Sequence, residues 1–402
     1  MKKLNAYLAV LVVIIGFSVS AQETNTPKFG KGLFNLVGKD SSWTMKVGAR
    51  MQFLATNAWD MDANGDFGKA ETNFLVRRAR LKFGGYAFTP KLKYKLELGL
   101  SNRDISGASE FTSNAPRYIL DAVVKWNFYK NFTLWAGQTK LPGNRERVVS
   151  SGNLQFVDRS KLNSNFNIDR DMGLQLRHHF KLSDKFIVRE MFAVSQGEGR
   201  NITTGNLGGH EYTARVELLP FGKFEGKGDY VCSDLKREQT PKLAIGATYD
   251  WNDKAVKDKA NQGKYMENDS EEGFFETNVN TVFVDAMFKY KGISFMGEYA
   301  NRDSNNPIAT NVDGTPTGKK VKKGNALNLQ AGYLFKSNWE LAGRITNVKF
   351  NGNGYATNYY TLGTSKYIVG HKLKVQSDIT YSDVTGSKEG GLEYRLQFDI
   401  HF

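Results

Sequence analysis

Basic side chains recur at every second position in several segments of the sequence. Arg78, Arg80 and Lys82, for example, are each separated by one residue. In an extended strand, alternate side chains lie on the same face, so such a segment presents a row of positive charge. Rows of lysine and arginine along a water-filled wall favour anions. The residues that predict this wall are Arg78, Arg80, Lys82, Lys91, Lys93, Lys95, Arg215, Lys372 and Lys374, together with Lys125, Arg177, Arg344 and Arg395.

Each of these charges, taken alone, is also explained by the hydration of a polar face. Their sum favours the first interpretation, because the chain has 55 Lys and Arg against 41 Asp and Glu, a formal net charge of +14. Nucleic acid is disfavoured as a partner, since the cations alternate with apolar residues and do not form one outer patch. We therefore expect small anions as partners.

The segment from about residue 140 to 170 contains apolar residues that a solvated loop does not need. These are Leu154, Phe156, Val157, Leu162, Phe166 and Ile168. Apolar side chains gain free energy when they leave water, so the segment needs a surface to pack against. We expect it to fold inward against the wall formed by the strands and to constrict the space that they enclose. The cations that would then lie at the constriction are Arg145, Arg147, Arg159 and Lys161, partly offset by Glu146 and Asp158.

A set of oxygen ligands lies between residues 60 and 71. Asp60, Asp62, Asn64, Asp66 and Glu71, with a glycine at position 65, fit the calcium-loop pattern D-x-[DN]-x-[DN]-G-x₅-E. In that pattern the last glutamate binds the ion with both oxygens. The flanking segments have the pattern of strands and not of helices, so an acidic, turn-rich external loop is the favoured alternative to a Ca²⁺ site.

Catalytic motifs are absent from the sequence. It has no G-x-S-x-G, H-E-x-x-H, P-loop or dinucleotide-binding fingerprint. Its one cysteine excludes a disulfide framework and cysteine-based metal sites. The histidine pair His178-His179 lies in a predicted strand without an obvious third ligand, and we interpret it as part of the wall. The sequence therefore predicts neither an enzyme nor a required cofactor.

The elements that position these residues are strands with one apolar and one polar face. In the C-terminal segment LEYRLQFDIHF, every second residue from Leu392 to Phe402 is apolar, and the residues between them are polar or charged. Strict alternation of this kind indicates a β-strand. The count of such segments between residues 43 and 402 predicts 16 strands, with residues 220–240 assigned to an extended turn.

A transmembrane antiparallel β-barrel explains this pattern better than a soluble sandwich. Tight turns alternate with long polar loops, and aromatic residues such as Phe128, Tyr129 and Phe132 cluster beside the tight turns. Aromatic girdles of this kind occur where barrels meet the membrane interface. Bacterial single-chain barrels have even strand numbers, and a barrel of 16 strands can enclose an aqueous channel. The expected fold is all-β, a 16-stranded barrel with an inward loop that constricts the pore.

The amino terminus has the features of a secretory signal peptide. A basic start at Lys2 and Lys3 precedes an apolar run and small residues that end at Ala21. The run is short for a transmembrane anchor. We therefore predict a signal peptide over residues 1–21, a lead-in segment over 22–42 and the barrel over 43–402, located in the outer membrane after cleavage near Ala21.

Several stretches of the chain resemble the phosphate-selective porin O and P family of outer-membrane porins. They are LVRRARLKFGG, NRERVVSSGNLQFVDRS with the following RDMGLQL, YTARVELLPFG, GDYVCSDLKREQTPKLAIGATYDWND and YIVGHKLKVQSDITY. The resemblance implies a trimeric, 16-stranded porin whose third external loop folds inside, and which conducts anions with phosphate or polyphosphate as the substrate class. The loop residues within matched text are Arg145, Arg147, Ser150, Ser151, Asn153, Gln155, Asp158 and Arg159.

Three functions agree with these observations. The first is an anion-selective diffusion porin for phosphate-containing anions, and the second is a general small-solute porin with a weak anion preference. The third is a structural or adhesive surface barrel, in which loops 54–72, 253–278 and 303–324 would be the working parts. The expected partners are small anions, outer-membrane lipid and further copies of the chain in a homotrimer. Single-channel conductance separates the first two functions from the third.

Overall fold

The computed structural model describes residues 27–102, 104–105, 117–269, 273–352 and 354–402. The predicted signal peptide, residues 1–21, lies outside the described residues. The strands are β1 (Phe34–Val37), β2 (Thr44–Met61), β3 (Glu71–Ala87), β4 (Thr89–Gly99), β5 (Ile119–Tyr129), β6 (Phe132–Lys140), β7 (Arg170–Lys181), β8 (Ile187–Ser195), β9 (Glu211–Leu219), β10 (Lys242–Ala255), β11 (Lys257–Lys259), β12 (Gln262–Tyr265), β13 (Thr277–Tyr290), β14 (Ile293–Ser304), β15 (Ile308–Thr310), β16 (Pro316–Lys320), β17 (Gly324–Leu334), β18 (Trp339–Phe350), β19 (Ala356–Tyr367), β20 (Leu373–Val384) and β21 (Gly390–His401).

Helical structure among the described residues is short. It comprises α1 (Arg145–Val148), α2 (Lys161–Phe166) and two 3₁₀ turns, Ser151–Asn153 and Glu225–Tyr230. None of the described helices is long and apolar enough to cross a membrane.

Sixteen of the strands close an antiparallel barrel. Neighbours in sequence pair from β2 to β10, the series continues through β13, β14 and β17 to β21, and β21 pairs back with β2. The short strand β1 pairs with the start of β2. The predicted 16-stranded all-β barrel is therefore confirmed. Residues 220–240 contain a 3₁₀ turn and no strand, in agreement with their assignment to an extended turn.

Burial along the barrel strands is the reverse of that in a soluble sheet. On β21, Phe398 is 40% exposed, whereas its neighbours Gln397 and Asp399 are 1% and 0% exposed. Alternate side chains of a strand point to opposite faces, so the apolar face of β21 points outward and the polar face points into the barrel. An apolar outer band and a polar interior are the arrangement that a lipid bilayer requires of a barrel.

Tight turns join the strands where the sequence predicts them. Lys291 and Gly292 form the two-residue connection between β13 and β14, and both have positive φ, 47° and 90°. Two left-handed residues are the requirement of a type I′ turn, whose twist matches that of the flanking strands. Glycine has no Cβ and adopts this conformation without steric cost, which explains its place at the second position.

Three small additions to the barrel were not predicted. Strand β1 lies in the lead-in segment, and the hairpins β11–β12 and β15–β16 lie in the long loops between barrel strands. Each of these strands has three to five residues, which is too short for alternation to be distinguished from a loop.

Candidate functional site

The segment 141–169, between β6 and β7, packs its apolar side chains against the inner face of the barrel. Leu162, Phe166 and Ile168 are fully buried, and they form one cluster with wall residues that include Ala300 on β14 and Ala326 on β17. Ala300 and Ala326 have small side chains, so the segment can approach β14 and β17 closely. Burial of these side chains contributes roughly 1.5–3 kcal/mol each, which explains why an apolar segment occurs between two barrel strands.

Carboxylates of the same half of the wall bind the backbone and side chains of this segment. The Glu146 N–H donates to Oε1 of Glu298 at 2.6 Å, and the Val157 N–H donates to Oδ2 of Asp378 at 3.0 Å. The Gln155 side chain donates to Oε1 of Glu340 at 2.7 Å. These acceptors lie on β14, β20 and β18, so the acidic residues of this half of the wall are used to hold the segment.

A cavity of about 360 Å³ lies on the other side of the segment, against β3 to β7. Basic residues outnumber acidic residues in its lining by twelve to four. The basic residues are Arg77, Arg78, Arg80, Lys82, Lys95, Lys125, Lys140, Arg147, Arg159, Arg170, Arg177 and Arg200, and the acidic residues are Glu97, Asp104, Asp121 and Asp169. Such a cavity has a positive potential that attracts small anions.

The structure brings only part of the predicted basic residues together. Those that line the cavity are Arg78, Arg80, Lys82, Lys95, Arg147 and Arg159, with Lys125 and Arg177 from the longer set of wall cations. Those that do not line it are Arg145, Lys161, Arg215, Lys374, Lys91, Lys93 and Lys372. The last three have exposed side chains.

The positions of Arg145 and Arg215 differ most from those that the sequence predicted. Both are buried between the segment and the wall, where Nε of Arg145 binds Asp285 at 2.7 Å and Arg215 binds both Asp285 and Glu217. A buried charge requires a partner of opposite sign, and these two carboxylates take both guanidinium groups away from the cavity. Lys374, also fully buried, donates to the Leu154 carbonyl at 3.0 Å and holds the segment.

Lys161 lies at the start of α2 and has an exposed side chain. Its ammonium group is 5.4 Å from the ring centroid of Tyr359 on β19. The segment therefore places Lys161 against the half of the wall that does not form the cavity.

Arg77 was missed because strict alternation assigns it to the outer face. A bulge in β3 inserts one residue between Val76, which pairs with Phe53, and Arg78, which pairs with Gln52. A bulge re-aims the side chain of the extra residue, and Arg77 joins Arg78 in binding Asp158, at 2.8 and 3.3 Å. These two cations hold the pKa of Asp158 well below its usual range, although burial opposes its ionisation.

Lys140, Arg170 and Arg200 also line the cavity and were not singled out. Lys140 and Arg170 are the last residue of β6 and the first of β7, so they flank the segment at the point where it leaves the wall. Their position at strand ends beside an apolar loop was the available signal. Arg200 lies in the loop between β8 and β9, where no sequence pattern points to the cavity.

The cations of the cavity fall into groups that differ in how their charge is compensated. Most are paired with a carboxylate, for example Arg80 with Asp104 at 2.7 Å and Lys95 with Asp121 at 2.6 Å. Lys140 instead donates to the carbonyl oxygens of residues 147, 148 and 149 at 2.6–3.2 Å. A carbonyl oxygen carries no net charge, so it does not offset a bound cation as a carboxylate does. Such cations add more to the field of the cavity than those in ion pairs.

The residues of the calcium pattern lie in and beside the turn between β2 and β3. Among the described residues there is no group of three or more His, Cys, Asp or Glu side chains that could hold a metal ion. Asp60 lies in β2 and Glu71 begins β3, where it pairs with Ala58. Asp62 accepts hydrogen bonds from the N–H groups of Asp66 and Asn64, which lower the pKa of its carboxyl. Asn64 and Asp66 thus belong to the hairpin turn that joins β2 and β3.

Comparison with protein families shows what part of this chain is similar to. Residues 51–223 match the model of the family described as phosphate-selective porin O and P. The resemblance to this family is confirmed. The matched porin segment includes β3 to β7, which form the cavity wall, and the whole of the segment 141–169.

Solved structures of porins share the fold. The anion-selective porin from Comamonas acidovorans is 11% identical, covers 90% of this chain and 100% of its own, and superposes with a TM-score of 0.53. Salmonella typhi OmpF in complex with daunomycin is 11% identical, with 91% and 100% covered and a TM-score of 0.54. The trimer form of Vibrio cholerae OmpT is 12% identical, with 89% and 99% covered and a TM-score of 0.52.

At these identities, the similarity to solved structures concerns the fold alone. No curated protein matches the chain. The family match and the closed barrel together indicate an outer-membrane porin channel.

Proposed function

We propose that this porin is a water-filled, anion-selective diffusion channel whose preferred solutes are phosphate or other phosphate-containing anions. The observation that carries the proposal is the cavity between segment 141–169 and strands β3 to β7, in which twelve basic residues face four acidic ones. The segment would act as the constriction. An anion that passes it would remain within reach of several cations, which supports entry and release without one deep binding site.

The type of cation supports phosphate over chloride as the preferred solute. Arginine contributes most of the cations in the cavity lining. The planar guanidinium group donates two parallel hydrogen bonds to an oxyanion, whereas a chloride ion gains only from the charge. Proposed site residues on the segment are Arg147 and Arg159, and those on the wall are Arg77, Arg78, Arg80, Lys82 and Lys95.

Planar-bilayer recordings test the proposal. In a potassium chloride gradient, the reversal potential should show a chloride permeability above that of potassium, and added phosphate should block the chloride current. A preference for potassium would overturn the anion proposal. The absence of any conductance would favour a structural or adhesive barrel.

A general porin with a weak anion preference is the second candidate. It is favoured by the ion pairs within the cavity, such as those of Arg80 and Lys95, because a carboxylate reduces the net field of its partner. This candidate predicts a chloride preference without block by phosphate.

We also propose that the porin is a homotrimer, in support of which the OmpT neighbour has a trimer form. Native electrophoresis with and without heating tests the assembly. Cleavage of the signal peptide near Ala21 stays a prediction, and amino-terminal sequencing of the mature protein tests it.

A further inference from the structure

Three side chains on adjacent strands form a compact group at one end of the cavity. Trp135 on β6 pairs across the sheet with Lys125 on β5, and Arg177 on β7 lies diagonally opposite, two residues beyond Gln175, the partner of Trp135. The Lys125 ammonium nitrogen is 3.6 Å from the centroid of the indole ring, and Cζ of the Arg177 guanidinium group is 3.8 Å from it. Both cations therefore lie against the same aromatic ring.

Lys125 and Arg177 differ from most cations of the cavity lining, which are paired with carboxylates. Within the described residues, the Lys125 ammonium group has no ion pair or hydrogen bond besides its contact with the indole. Nε and Nη2 of Arg177 donate to Oε1 of Gln175, at 3.2 and 2.7 Å, and that amide carries no net charge. Among the described residues, neither cation thus has a carboxylate within ion-pair distance.

The indole explains how two cations stay close together without a carboxylate. The negative face of an aromatic ring attracts a cation electrostatically, but the ring has no net charge to cancel. A carboxylate in the same position would compete with an incoming anion, which would have to displace it. Trp135 therefore fixes the two cations in place and leaves their charge and the ammonium N–H donors available to a ligand.

We propose that Lys125 and Arg177, positioned by Trp135, form a binding subsite for an oxyanion with more than one charge, such as inorganic phosphate. Its oxygens would bridge the ammonium and guanidinium groups, each of which donates hydrogen bonds to oxyanions. This subsite rests on the proposed function, since it requires anions to enter the cavity. It lies towards the tight turn between β5 and β6, about 17 Å along β6 from Lys140, and is separate from the cations of segment 141–169.

Bilayer recordings of four variants test the subsite. Lys125→Gln and Arg177→Gln should each raise the phosphate concentration that halves the chloride current by about tenfold. Trp135→Leu should do the same, and Trp135→Phe, which keeps an aromatic face, should raise it by about twofold. The matched control is Lys93→Gln. Lys93 pairs with Lys125 across β4 and β5 but does not line the cavity, so its loss should change the block by less than twofold.

Intrinsic fluorescence provides a readout that a purely structural role of Trp135 would not affect. Titration of the detergent-solubilised porin with inorganic phosphate, at constant ionic strength, should give a saturable change in tryptophan emission. Trp135→Phe should abolish this change, while Trp126→Phe, on the outer face, should retain it. Heat-dependent migration on gels confirms that each variant is folded.

The possible results separate this subsite from the proposed function. A cation-selective wild type would overturn both. An anion-selective wild type that phosphate does not block would overturn the subsite and the phosphate preference, and would leave the anion-selective channel in place. The subsite alone is overturned if phosphate blocks Trp135→Leu and Lys125→Gln as strongly as the wild type, or if Trp135→Phe retains the full fluorescence change.

Discussion

The contact between Arg145 and the barrel wall gives a direct test of how segment 141–169 is held. Asp285 on β13 accepts hydrogen bonds from Nε of Arg145 at 2.7 Å and from Nη1 and Nη2 of Arg215 at 2.6 and 3.0 Å. Glu217 accepts from Arg215 at 2.8 Å and lies 3.4 Å from Arg145. The four buried side chains carry two charges of each sign, and Asp285→Asn would leave one positive charge without compensation.

The magnitude follows from the cost of an unpaired buried charge. Removal of one partner of a buried ion pair costs about 3–5 kcal/mol. Only Arg145 belongs to the segment, so detachment of the segment relieves part of this cost in the variant. Because 1.4 kcal/mol corresponds to a tenfold change in an equilibrium constant, the population of the detached state should rise by up to about 10²–10³-fold.

Single-channel recording measures this population as the fraction of time spent in a state of higher conductance. Asp250→Asn is the matched control, since Asp250 is a buried carboxylate on the neighbouring strand β10 that accepts from Thr213 at 2.7 Å. The double variant Arg145→Met/Asp285→Asn should restore part of the wild-type behaviour, because it removes the uncompensated cation. Equal occupancies in wild type and Asp285→Asn, or an equal effect of Asp250→Asn, would refute the assignment of Asp285 as an anchor.

Three further predictions concern residues outside this anchor. Arg147→Gln and Arg159→Gln should each lower the chloride-over-potassium permeability ratio more than Arg145→Gln does, because only the first two line the cavity; equal reversal potentials would contradict this. Burial raises the pKa of Glu198 to about 7. The folded state therefore gains up to about 3 kcal/mol of stability when Glu198 is protonated. This stability is fully present below the ordinary pKa of glutamate and is lost as the pH rises through 7. Glu198→Gln should therefore flatten the pH dependence of thermal unfolding between about pH 4.5 and 7, and an unchanged slope would count against it. Weak Ca²⁺ binding by the loop between Asp60 and Glu71 stays a prediction, which calorimetry tests by a Ca²⁺ binding heat that Asp60→Ala removes.

The sequence was sufficient to predict the barrel because its strands obey one constraint throughout. Lipid outside and water inside require alternation on every strand, as β21 shows with Phe398 exposed and Asp399 buried. The tight turns add a second constraint, since connections such as Lys291-Gly292 need residues that tolerate positive φ. Local patterns of this kind can be read without knowledge of distant contacts.

The candidate site was predicted less completely, because it depends on departures from alternation and on contacts between distant residues. The bulge at Arg77 changes the face of one side chain, and nothing in the local pattern marks the position of a bulge. The parity of Arg215 correctly places it on the inner face. Only the structure shows that Asp285, 70 residues later, removes its charge from the cavity.

The asymmetry of the lumen follows from which charges are paired and not from composition alone. Segment 141–169 contributes backbone N–H groups and Arg145 to one half of the wall, where Asp285, Glu298 and Asp378 accept their hydrogen bonds. These carboxylates cannot offset the cations on β3 to β7, because they are turned towards the segment and occupied by it. An inner wall with both signs of charge thus becomes a cavity dominated by cations. The docking of the segment and the proposed anion selectivity would then have the same physical cause, and a variant that detaches the segment should weaken the selectivity as well as widen the pore.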